Sequence, residues 1–215
     1  TKPASAAADL NGTTRDDFPQ FLGPERSGWI SGPRLGRDWQ SKPPRQLWQR
    51  NVGAGWSAFA VVNGFAVTLE QRSSDECVVC YEVQTGEQVW QHATAARHET
   101  ALGGIGPRST PTIHQGRVYV LGASGILQCL DGSNGQLIWS DDLRKRYGIS
   151  ASEDEQHVMF GRSASPLIVD QLVIVPGGGL QGRAQNLVAF DRETGQLVWE
   201  TKNKLPSGDA DQISY

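Results

Sequence analysis

Leu130-Asp131-Gly132-Ser133-Asn134-Gly135-Gln136-Leu137-Ile138-Trp139 is one of three copies of the same unit. The others are Tyr81-Glu82-Val83-Gln84-Thr85-Gly86-Glu87-Gln88-Val89-Trp90 and Phe190-Asp191-Arg192-Glu193-Thr194-Gly195-Gln196-Leu197-Val198-Trp199. An apolar residue and an acid lead into Thr or Asn, then Gly, then a β-branched residue and Trp. Internal repetition on this scale decides the architecture before any single residue is read. Gly86, Gly135 and Gly195 supply the positive φ that a short hairpin turn needs. Asp131 and Asp191 sit where a carboxylate can accept hydrogen bonds from turn amides. Trp90, Trp139 and Trp199 end each unit with a large apolar surface to bury.

A second aligned pair of strands precedes each copy. Residues 57–67, 109–119 and 164–174 each read as a short apolar strand, a two-residue polar turn and another apolar strand. Each unit therefore holds four strands joined by hairpins. The strand-end tryptophans Trp48, Trp90, Trp139 and Trp199 lie 42, 49 and 60 residues apart. A four-stranded unit of roughly 40–45 residues is a β-propeller blade, and the two longer spacings imply insertions. The expected fold is all-β, with blades over about 55–92, 108–141 and 163–201 within a propeller region 45–215.

Ser-x-Pro, an apolar strand, Gly, a second apolar strand, and Leu-Asp-x-x-Thr-Gly-x-x-x-Trp together resemble the PQQ-like, or quinoprotein alcohol dehydrogenase-like, propeller repeat. The pattern is also similar to the repeats of the periplasmic propeller lipoprotein of outer-membrane β-barrel assembly. Asp17-Phe18-Pro19-Gln20-Phe21-Leu22-Gly23-Pro24 resembles the lead-in of planctomycete-type members of this family. The resemblance implies seven or eight blades and a periplasmic or extracellular setting. Three blades do not close a ring, so the expectation is a partial propeller. A C-terminal remainder or another chain would complete it.

Composition excludes several classes. Gly 25, Pro 11 and Trp 7 in 215 residues suit a turn-dense β protein. A net charge of −3 gives no general attraction to nucleic acid or anionic membranes. No apolar run is long enough to span a bilayer as a helix. Cys77, Cys80 and Cys129 make no disulfide framework. Cys77 and Cys80 have half the spacing of a zinc site, but residues three apart on a strand point to opposite faces.

Residues 1–16 are small and polar and read as a disordered tail, and 17–44 as an irregular lead-in packed on the propeller. Residues 43–50 read as a lone outer strand ending the ring. The Gly177-Gly178-Gly179 run lacks the Lys-Ser/Thr and helix of a phosphate loop, so it is a hairpin connection. Residues 209–215 look like the approach to a fourth inner strand.

Insertions at 92–107 and 141–160 both join one blade to the next and should emerge on one face, where propellers bind ligands and partners. The basic-then-acidic order of the second suits a surface loop, a short capped helix or surface ion pairs. Trp56, His98, Glu99, Arg108 and Arg162 are the candidate ligand or partner contacts there. Arg108 and Arg162 also suit hydrogen bonds to neighbouring blade carbonyls. A PQQ dehydrogenase, by resemblance, clamps its quinone with an adjacent cysteine pair and a stacked Trp beside calcium. This sequence has no adjacent cysteines, so no catalytic residue, metal site or bound cofactor is expected. PQQ with calcium remains the implied alternative. The functional expectation is a non-catalytic scaffold for a protein, glycan or small molecule. The alternatives are a quinoprotein oxidoreductase and a glycan- or peptide-binding propeller attached to an enzyme.

Overall fold

The computed structural model describes residues 7–32, 34–178 and 185–202; for 155–157, 185–186 and 202 only the backbone is described. Three antiparallel four-stranded sheets follow one another along the chain. The first holds β1 (Ala60–Val62), β2 (Phe65–Arg72), β3 (Asp75–Glu82) and β4 (Gln88–Thr94). A two-stranded ribbon, β5 (Glu99–Thr100) and β6 (Gly104–Ile105), occupies the first insertion. The second sheet holds β7 (Thr112–His114), β8 (Arg117–Leu121), β9 (Ile126–Asp131) and β10 (Leu137–Asp142). Helices α1 (Leu143–Tyr147) and α2 (Ala151–His157) form the second insertion. The third sheet holds β11 (Leu167–Val169), β12 (Leu172–Val175), β13 (Gln185–Asp191) and β14 (Leu197–Lys202). Strands pair in sequence order within each sheet, and the innermost strands β1, β7 and β11 are neighbours. The fold is the all-β partial propeller that the repeats imply.

The repeated turn works as its residues dictate. The Gly135 amide donates to the Asp131 carbonyl at 2.8 Å, and Gly86 and Gly195 do the same to Glu82 and Asp191. The Asp131 carboxylate accepts from the Ser133 amide and hydroxyl, and that of Asp191 from Glu193, Thr194 and the Thr194 hydroxyl. These glycines have φ of +70°, +75° and +71°. They also lack a Cβ for a second reason. A Cβ on Gly135 would lie 2.6 Å from the Trp90 ring, and one on Gly195 2.6 Å from Trp139.

The tryptophans thus interlock the blades. Trp90 of the first blade lies on the turn of the second, its indole N–H donating to the Gly132 carbonyl at 2.9 Å. Trp139 repeats this on the third blade, donating to Arg192 at 2.9 Å. Both are buried, at 7% and 9% exposure. Cys80, Cys129 and Ala189 stand opposite Trp90, Trp139 and Trp199 in the sheet register, so a small residue makes room for each indole. All three cysteines are buried free thiols. Cys77 and Cys80 fall in different clusters on opposite faces, as the strand period requires.

Trp199 departs from the expected burial: it is only partly covered, because no following blade is present among the described residues. Trp48 takes up the same role at the other end. Its N–H donates to Val83 at 2.8 Å and its ring presses on Gly86. Residues 45–50 make no sheet ladder among the described residues, so the docking of a lone outer strand is kept but its pairing is not.

Two cores lie between blades. One joins Val67, Leu69, Cys80 and Trp90 to Ile113, Val118, Val120 and Leu130. The other joins Tyr119, Leu127, Cys129 and Trp139 to Val173, Val188 and Phe190. Residues 7–16 differ from the tail expectation: Ala8 and Leu10 are buried in the first core, and Leu10 accepts from the Gly116 amide. Ala8 and Leu10, two residues apart, reach a groove between blades that composition does not reveal. Residues 17–26 then cross the inner strands. Phe18 exchanges two 2.8 Å hydrogen bonds with Val61, Ile113 donates to Pro19, and Arg26 donates to Pro166. Residues 1–6, 179–184 and 203–215 lie outside the described residues. With them go the start of the tail, most of the glycine-rich loop and the approach to a fourth inner strand.

A further link between blades is Glu76 on β3, which accepts from the Ala123 amide of the next blade at 3.0 Å. Burial pushes its carboxyl up to about 7, with the Ala123 hydrogen bond opposing the rise. Between about pH 4.5 and about 7 the folded form keeps a proton that the unfolded chain has released, so stability falls as pH rises through that window.

Trp139→Ala should cost about 3–5 kcal/mol in urea unfolding, and Trp199→Ala clearly less, since only the first indole is sandwiched between blades. Glu76→Gln should flatten the decline in stability between pH 4.5 and 7, a difference on the order of 3 kcal/mol at the upper end, read by thermal melts across pH.

Candidate functional site

The segments leading into the inner strands, the lead-in and the two insertions converge on one region. Trp56 precedes β1, Arg108 precedes β7, and Arg162 and Ser163 precede β11. The sequence placed Trp56 and Arg108 at aligned blade positions, and the fold brings them together. The Arg108 guanidinium lies 5.1 Å from the centre of the Trp56 ring and 5.4 Å from that of Phe160. It also donates to the Gly103 carbonyl, which holds it in place. Trp56 remains 67% exposed. An open cleft of about 370 Å3 runs beside them, lined also by Phe21, Arg26 and Ser163–Ser165. Arg26 is fixed by Gln20 at 2.8 and 3.1 Å and by Pro166. Phe21 and Arg26 belong to the lead-in, and nothing in its local sequence marked them as site residues. Phe21 shared in an apolar content too high for a free tail, and Arg26 carried no signal.

His98, Glu99 and Arg162 lie in a second group under the insertions. The insertions do emerge together: the Thr100 hydroxyl donates to the Met159 carbonyl at 2.5 Å. Arg162 is 6% exposed and pairs with Asp154 of α2 at 2.7 Å, each otherwise shielded from water. So Arg108 does bind a carbonyl, whereas Arg162 binds a carboxylate. Glu99 sits on the rim, paired with Arg97 at 2.6 Å. Burial pulls the His98 imidazole below the usual histidine range, opposed by a hydrogen bond to the Met159 backbone and by Asp154, and reinforced by Arg108 and Arg162. His98 is therefore neutral near pH 7. Asp154, Ser124 and Arg144 join this group without having been singled out. The acidic run 153–155 reads as a surface loop until α2, capped by the reciprocal Ser150–Glu153 box, turns Asp154 inward.

No group of three His, Cys, Asp or Glu among the described residues could hold a metal ion. The cysteines are buried in β3 and β9, with Cys80 pushed up to about 12 and Cys129 to about 11 by burial. The described residues do not fit the calcium site and cysteine clamp of the implied quinone cofactor.

The family model of the outer membrane protein assembly factor BamB matches residues 39–212. The chain belongs to this PQQ-like repeat family. It is 26% identical over 166 residues to the outer membrane protein assembly factor BamB of Kangiella koreensis, covering 75% of this chain and 36% of that protein. It is 25% identical over 194 residues to the quinohemoprotein alcohol dehydrogenase ADH-IIG of Pseudomonas putida, covering 81% of this chain and 25% of that protein. The chain thus spans little more than a third of the first curated relative and a quarter of the second. The crystal structure of the quinohemoprotein alcohol dehydrogenase from Comamonas testosteroni superposes with a TM-score of 0.66 at 19% identity, over 99% of this chain and 33% of that one. That likeness is one of fold. No helix among the described residues is long and apolar enough to cross a membrane.

Asp154→Asn should destabilise the chain by about 3–5 kcal/mol, because it leaves the Arg162 guanidinium buried without its counter-charge. The double change Asp154→Leu with Arg162→Met should restore most of that loss in chemical unfolding.

Proposed function

We propose that this chain forms part of a propeller that works outside the cytoplasm as a non-catalytic, protein-binding scaffold. The supporting observation is the cleft at the inner-strand leads. A highly exposed Trp56 carries Arg108 on its face, with Phe21 and Arg26 beside it. Tryptophan and arginine are among the residue types that dominate binding energy at protein interfaces. Arg108 is held by the Gly103 carbonyl and the Phe160 ring before any partner arrives, which lowers the ordering cost of binding. Membership of the assembly-factor family supports a client of the outer-membrane β-barrel class, an unfolded polypeptide rich in alternating apolar residues. The setting outside the cytoplasm rests on the same relatives.

A quinoprotein oxidoreductase is the second reading, supported by the match to the Pseudomonas putida alcohol dehydrogenase. Against it stand the absence of adjacent cysteines in the sequence and the donor set described above.

The full-length protein should bind a urea-unfolded outer-membrane β-barrel polypeptide after dilution, read by fluorescence anisotropy. Trp56→Ala and Arg108→Gln should each weaken that binding at least tenfold while the melting temperature stays within a few degrees. Alcohol-dependent dye reduction that requires added PQQ and calcium would establish the oxidoreductase instead. Saturable binding of a glycan at Trp56 without binding of polypeptide would also overturn the proposal.

A further inference from the structure

Beneath the two insertions lies a second open cleft of about 220 Å3, lined by Arg97, His98, Glu99, Ser124, Arg144, Ala151 and Asp154. That is room for about seven water-sized groups. Four of its lining residues carry a buried polar atom with no hydrogen-bond partner among the described residues: His98 Nε2, Ser124 Oγ, Arg144 Nε and Asp154 Oδ1. Ser124 and Asp154 are themselves more than nine-tenths buried. A buried polar group left unpaired costs about 1–3 kcal/mol, so four in one place demand an account.

Their chemistry is specific. Burial keeps the His98 imidazole below the usual histidine range, and its unpaired Nε2 accepts a hydrogen bond when the ring proton sits on Nδ1. Asp154 Oδ1 is also an acceptor, since Oδ2 is taken by Arg162. Ser124 can donate or accept. Arg144 Nε is a donor. The charges do not cancel. Arg97 is paired with Glu99 and Arg162 with Asp154, which leaves Arg144 without a carboxylate partner among the described residues. A complementary solute therefore brings hydroxyl donors for His98 and Asp154 and one negative charge for Arg144.

We propose that this cleft binds a small hydroxy carboxylate, of the size and class of a sugar acid. The carboxylate pairs with Arg144, and the hydroxyls donate to Asp154 Oδ1 and His98 Nε2, with Ser124 completing the set. The residues differ from those of the protein-binding cleft, so the two proposals stand or fall separately. Arg97, Glu99 and Arg144 form the outer part of the lining, and Arg144 stands on α1, whose end is closed by Gly148 in the left-handed conformation. The ligand would thus seat between the insertions of two adjacent blades.

The test is isothermal titration calorimetry of the full chain with D-glucuronate, against glucose, which lacks the carboxylate, and acetate, which lacks the hydroxyls. Glucuronate should bind at least tenfold more tightly than either. Arg144→Gln, on a half-exposed side chain that holds no other partner, should bring glucuronate down to the level of glucose with an unchanged melting temperature. Ser124→Ala should weaken glucuronate several-fold. No heat with glucuronate, equal binding of acetate, or unchanged binding in the Arg144→Gln protein would each overturn the proposal and leave the unpaired atoms to ordered water.

Discussion

Each blade of this protein ends in an indole that has nowhere to be buried within its own sheet. Trp90 and Trp139 resolve this by lying on the turn of the next blade, where a glycine leaves room for the ring and a turn carbonyl takes the N–H. The interaction joins apolar burial to a satisfied polar atom, which is the condition for placing tryptophan in a core. It also sets direction. Blade n docks on blade n+1, so the repeat has an order as well as a composition. Trp48 and Trp199, at the two ends of the series, show the same residue with and without the neighbour it is shaped for.

Once the blades are registered, their inner-strand leads and inter-blade insertions have no freedom to lie apart. Trp56 and Arg108, 52 positions apart in sequence, become a stacked pair. The insertion ribbon β5–β6 meets the chain after α2 through Thr100 and Met159. Helix α1 adds Leu143 to the core between the second and third blades and sets Arg146 over Phe190. The result is two clefts of different character. One is aromatic and cationic with an exposed indole. The other is polar and lined by buried atoms that have no partner among the described residues. A rigid scaffold carrying variable connections is the usual division of labour in such folds.

Much of this was legible beforehand. The turn, the acid that caps it and the four-strand count all follow from local spacing, because hairpins are decided by nearby residues. Trp56, Arg108 and Arg162 could be named together because aligned positions in a repeat occupy equivalent places, and His98 and Glu99 because they lie in an insertion joining two blades. What could not be read was which atoms would meet. The burial of Leu10 was missed because a groove between blades leaves no mark on a polar N-terminal stretch. The inward turn of Asp154 depends on a short helix whose cap is plain only when its neighbours hold it. Phe21 and Arg26 reach the cleft through a path of bends with no periodicity to follow.

The amino-acid sequence by itself determined the four-stranded repeat and the turn that closes its outer hairpin. Those properties rest on turn chemistry and a period of two, both local. Only the tertiary structure decided which side chains share a cleft, which charges are paired and which buried atoms are left without partners. Those depend on distances between segments far apart in the chain, and such distances exist only after the indoles have drawn the sheets together.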